Sequence, residues 1–129
     1  MSAPDLGDIE ALAKAAREGL PPDFKRPAME VALRVEDFAP DDMLDEMEIE
    51  DPFSLTGLYE GIPLIEKSSA HQPLRLDTIW LFRRPILDEW IERGDVSLGD
   101  LVGHVYVHEL AHHFGWSDRD IATIDEWWT

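Results

Sequence analysis

His108 and His112 flank Glu109, Leu110 and Ala111, and Gly115 follows three residues later; few backbones suit all of these at once. Residues four apart share a face on an α-helix, with Cβ atoms roughly 5–6 Å apart. That spacing lets both imidazoles reach one tetrahedral metal ion at about 2.0–2.1 Å. Glu109 projects about 100° round the helix from His108, where a carboxylate lies beside an ion-bound water without being a ligand. The helix must then stop, or nothing downstream can turn back toward its last turn. Gly115 is suited to stopping it, because glycine enters the left-handed conformation without a Cβ clash.

A His-Glu-x-x-His string alone arises in roughly two of a hundred shuffled chains of this composition. Adding the glycine and then Asp118 lowers that to on the order of one in ten thousand, so the extended run is the informative one. Catalytic zinc sites usually take three protein ligands plus water, and Asp118 is the candidate for the third. It has a second use open to it, as an early carboxylate of a following helix with Ser117 as N-cap. The other candidates fit less well. His113 points about 100° away from His112, as a packed or supporting side chain. Glu126 needs the last helix to fold back. His104 continues the 108, 112 stripe backwards but drifts by about 40° per step, which puts it beside the site. Trp116 lies between Gly115 and Asp118, next to any ion bound there.

The run from His108 to Asp118 resembles the Asp-type zincin metallopeptidases. Together with Gly57-Leu58-Tyr59-Glu60-Gly61-Ile62-Pro63-Leu64, the Arg83-Arg84-Pro85 corner and His108 to Gly115, it is similar to the small bacterial minimal zincin family. The resemblance extends from about Met29 to Trp128, with the segments in the family's order. It implies an α+β fold, a small mixed sheet packed on helices with the His-Glu-x-x-His run on the site helix. It also implies zinc held by His108, His112 and Asp118, with Glu109 as general base. Phe82 departs from the pattern, where a tyrosine is expected before the arginine pair.

At 129 residues the chain suits one domain, 1–129, able to bury roughly two-thirds of its unfolded surface. Twenty-eight acidic against eleven basic residues give a net charge of −17, which argues against nucleic acid or an anionic membrane as partner. There is no cysteine, which excludes a disulfide framework and a thiolate metal site. Asp5, Asp8 and Glu10 stand where a signal peptide has positive charge, and no run approaches the ~20 apolar residues of a membrane span. A monomeric cytoplasmic protein with a peptide or protein substrate is expected.

Ile9, Leu12, Ala13 and Ala16 predict a helix over 5–19, ended by Gly19 before Leu20-Pro21-Pro22. Alternation of Val31, Leu33 and Val35 with Glu30, Arg34 and Glu36 predicts a strand over 29–38. Pro40-Asp41-Asp42 opens a short acidic helix to about Met47. Residues 51–73 read as a long connection, of the kind that is usually functional, with room for a third strand around Leu55–Leu64. Leu74–Phe82 reads as an apolar strand. A helix from Pro85 to Arg93, the site helix from Ser97 to about Phe114, and a last helix from Ser117 or Asp118 complete the order.

A zinc ion here would lower the pKa of its water toward ~7, and Glu109 would take the proton and return it to the leaving amine. Tyr59 is the candidate hydroxyl donor to the oxyanion, or else a tyrosine packed over the sheet. Asp100 and Asp125 are candidate acceptors for the ligands' second ring nitrogens. A peptide substrate could add as a strand to a sheet edge, and Leu74–Phe82 is nearest the site helix in sequence. Eleven residues follow Asp118, little for a second wall, which leaves a rival: a non-catalytic zinc-containing module that binds peptide or protein.

Overall fold

Thr78–Phe82 is buried along its whole length, and the surrounding elements are arranged to cover it. The computed structural model describes residues 3–61 and 77–115. In chain order its elements are α1 (Leu6–Glu18), α2 (Pro22–Ala28), β1 (Ala32–Glu36), α3 (Asp41–Glu46), a 3₁₀ turn (Pro52–Ser54), β2 (Gly57–Glu60), β3 (Thr78–Phe82), α4 (Arg83–Arg93) and α5 (Leu98–His113). The α+β class and the small mixed sheet expected from sequence are both present. The expected last helix and residues 62–76 lie outside the described residues.

The sheet runs β1-β3-β2. β1 pairs parallel with β3, Ala32 opposite Thr78, and β2 pairs antiparallel, Gly57 opposite Leu81. Alternate residues of a strand face opposite sides, and here both sides are filled. Ile79 and Leu81 belong to the main core with Ile9, Ile86, Val102 and Leu110. Trp80 and Phe82 belong to a second core with Ala39 and Leu44. β3 is therefore the central strand, which corrects its expected role as a docking edge: both of its hydrogen-bonding sides are already taken. Among the described residues β2 has one partner strand, β3, and it lies against α5.

Local chemistry explains most of the boundaries. Asp5 and Asp8 form a reciprocal capping box on α1. α1 ends at Glu18 with Gly19 as its C-cap, as expected, and Pro22 then opens α2 as its first residue, where the missing N–H costs nothing. Arg83 joins distant parts: its Nε donates to Pro4 O at 2.6 Å and its Nη1 to Asp37 Oδ1 at 3.0 Å. Ser97 caps α5 by accepting from Asp100 N at 3.0 Å. α5 then lies against α1 and β2, burying Leu101, Val102, Val105, Tyr106 and Leu110. No helix of the described residues is long and apolar enough to cross a membrane.

Tyr106 is 1% exposed, and among the described residues no hydrogen bond of good geometry reaches its hydroxyl. Burial pushes its phenol pKa up, while the nearby Arg17 acts in the opposite direction. An unsatisfied buried donor costs about 1–3 kcal/mol. Tyr106→Phe keeps the ring and removes that cost, so its melting temperature should hold or rise by a few degrees. A fall of more than about 1 kcal/mol in denaturant unfolding would show that the hydroxyl has a partner after all.

Candidate metal centre

The C-terminal half of α5 carries the histidine stripe. Its inward face is taken by Val105, Tyr106 and Leu110, which leaves His104, His108, Glu109 and His112 half-buried on the remaining arc. The rings of His108 and His112 have centroids 5.2 Å apart and planes inclined at 76°. Two imidazoles sharing one tetrahedral ion at 2.0–2.1 Å place their centroids about 5 Å apart, so the pair has the separation that a shared ion demands. Nitrogen donors from two neutral imidazoles also suit zinc.

The helix ends as its sequence predicts. Phe114 caps it, Gly115 N donates to His112 O at 2.9 Å, and Gly115 takes a left-handed φ of 83°. Beyond it, Trp116, Ser117, Asp118, Asp125 and Glu126 lie outside the described residues. Among the described residues no three His, Asp or Glu side chains gather as a metal site; the structure brings together His108 and His112, with Glu109 on the same helix.

Glu109 lies under β2. A Cβ built on Gly57 would stand 2.8 Å from Val105 Cγ1, 3.1 Å from Trp80 O and 3.4 Å from Glu109 Cγ. The absent side chain at Gly57 is what lets the strand backbone settle on the helix beside the proposed base. Asp100, considered as a support for the ligands, is in the first turn of α5. It precedes His108 by eight residues, about 12 Å along the axis, too far to orient either imidazole.

Tyr59 and His113 meet a residue that the sequence reading passed over. Tyr59 donates from its hydroxyl to Asp77 Oδ2 at 2.8 Å, and its oxygen lies 3.0 Å from His113 Nδ1. His113 Nδ1 is in turn 3.1 Å from Asp77 Oδ2. Asp77 and His113 are 6% and 4% exposed, so this is an interior polar cluster. Tyr59, expected as a donor to an oxyanion, here directs its proton to Asp77. The available signal was a lone aspartate within a largely apolar run, which reads more readily as a strand boundary.

A family model described as zincin-like metallopeptidase matches residues 28–128 of the chain. That span takes in every element from β1 to α5 and continues through position 118. None of the curated proteins compared with the chain matches it.

The close approach at Gly57 is directly testable. Gly57→Ala should force β2 away from Val105 and Glu109, lowering stability by about 1–3 kcal/mol, as overpacking does. The check is the urea midpoint at unchanged m-value. A midpoint equal to the wild type would mean that strand and helix are not in contact there.

Proposed function

The chain belongs to the zincin-like metallopeptidase family, and we propose that it is a zinc-dependent peptidase in which Glu109 is the general base. The observation that carries this is the His108–His112 pair at 5.2 Å between ring centroids, with Glu109 next to His108 in sequence and packed against β2 at Gly57. His108 and His112 would hold the ion, and Asp118 is proposed as the third ligand. Zinc, when bound, supplies a Lewis acid for the substrate carbonyl and lowers the pKa of its water.

The chain's own groups do the rest. Glu109 accepts a proton as water attacks the carbonyl and passes it to the departing amine, so one carboxylate is base and then acid. Its half-buried position keeps competing water from part of its surface, which strengthens its interaction with a charge developing nearby. An extended peptide bound as an added strand would bring a carbonyl toward the ion with Glu109 beside the attacking water. Tyr59 is left out of the proton path, since its hydroxyl is directed to Asp77. The substrate is proposed to be a peptide or protein, and the protein a cytoplasmic monomer. A net charge of −17 disfavours nucleic acid and anionic membranes as partners.

Glu109→Gln keeps size and hydrogen bonding but removes basicity. Zinc content should be unchanged, while cleavage of unstructured peptide libraries, read by mass spectrometry, should fall by about 10²–10⁴-fold. His112→Ala and Asp118→Ala should each lower zinc content in elemental analysis. Equal cleavage by wild type and Glu109→Gln from parallel preparations excludes Glu109 as the base. Zinc-loaded wild type without any cleavage would favour a binding module over a peptidase.

A further inference from the structure

We infer that Tyr59, Asp77 and His113 form a buried clamp that orients the last turn of α5, and with it His112, so that zinc affinity depends on the clamp. This rests on the zinc reading above. The three side chains come from three elements. Tyr59 is in β2, Asp77 immediately precedes β3, and His113 is the last residue of α5. Continuing the β2–β3 register by one pair sets Asp77 opposite Gly61. A Cβ on Gly61 would stand 2.5 Å from both Asp77 Cγ and Oδ1, so the glycine makes the space that the carboxylate occupies. Asp77 is also fixed from behind, because its carbonyl accepts from Ala32 N at 2.8 Å.

Proton bookkeeping assigns the donors. The Tyr59 hydroxyl has one hydrogen, and it goes to Asp77. The remaining contacts, His113 Nδ1 to Asp77 Oδ2 and to Tyr59 Oη, then need a hydrogen on Nδ1 shared between two oxygens. With Nδ1 protonated, that nitrogen offers no lone pair to a metal, so His113 orients and does not ligate through it. Ring contacts hold it further: Tyr59 meets the imidazole edge-on at 5.5 Å, and Phe114, next in sequence, packs edge-on against Phe24 at 5.4 Å.

Burying a carboxylate among hydrogen-bond donors gives little net stability, and apolar replacements of such groups are often neutral or better. What the arrangement supplies is direction. His112 shares a peptide bond with His113, so fixing the His113 ring to the sheet sets the rotation of the turn that carries His112. It also fixes the turn at Gly115, through which the chain leaves toward position 118.

The test reads zinc affinity by chelator competition rather than turnover, because turnover would also fall if Tyr59 met the substrate. Tyr59→Phe and Asp77→Asn should each weaken zinc binding by about tenfold or more, as loss of an orienting partner does. Ile9→Val, a core truncation on α1, should leave zinc affinity within about twofold of wild type. Amide exchange at residues 111–114 of the metal-free protein should also be faster in Tyr59→Phe than in wild type. Unchanged zinc affinity in the clamp variants overturns the inference even if they melt earlier. So does an equal loss in Ile9→Val, which would make affinity a general reporter of stability. If Asp77→Asn does not fold, Tyr59→Phe decides alone. A wild type that takes up no zinc overturns the metal reading itself, and that failure is visible without any variant.

Discussion

A strand with every side chain buried imposes more on its surroundings than any other element here. Thr78–Phe82 needs a partner on each edge and an apolar layer on each face, and each large side chain so covered contributes about 1.5–3 kcal/mol before entropy. β1 and β2 take the edges. α1 and α5 cover Ile79 and Leu81, while the α3 side covers Trp80 and Phe82. With α5 pressed against the sheet through Leu101, Val105, Tyr106 and Leu110, its rotation is no longer free. The stripe His104, His108, His112 is then left half-buried, off the face that packs on the core. The packing that satisfies a hydrophobic strand also decides which way the histidines look.

What was legible in the sequence was local in the chain. The spacing of His108 and His112, the Ser97 cap and the Gly115 stop all depend on contacts within one or two helical turns, so they can be read without knowing the fold. β2 was much less legible. It is four residues long, begins with a glycine and lies among prolines, and it is a strand chiefly because β3 is there to pair with it. α2 went unread for a different reason, since proline ends a helix from inside but starts one at its first position, where Pro22 stands. Asp77 was illegible because its burial is acceptable only when Tyr59 and His113 arrive from elsewhere, and their arrival depends on sheet register and helix packing together.

Charge has two separate roles in this chain. Exposed pairs such as Lys14–Glu10 and Arg93–Glu89 contribute a few tenths of a kcal/mol each, and the rest of the acidic surface mainly keeps the protein in solution. Ties nearer the interior act differently. Arg83 bridges the start of α1 and the end of β1 through Pro4 and Asp37, and Asp77 bridges β2 and α5. Their value lies in fixing where elements meet rather than in adding to the total.

The same charge distribution bears on a cation at the end of α5. A helix carries roughly half a negative charge at its C-terminus, and His108 and His112 occupy the last two turns of a 16-residue helix. A surface with net charge −17 adds a negative potential that draws cations toward the protein before any ligand is engaged. Neither field distinguishes zinc from calcium or magnesium, which prefer oxygen donors. In the proposed site discrimination would come chiefly from the two imidazoles, which favour zinc among these ions, and from how rigidly the ligands are held. Attraction would thus be spread over the whole molecule, whereas selectivity in the proposed site would fall to the side chains that ligate the ion and to whatever fixes their orientation.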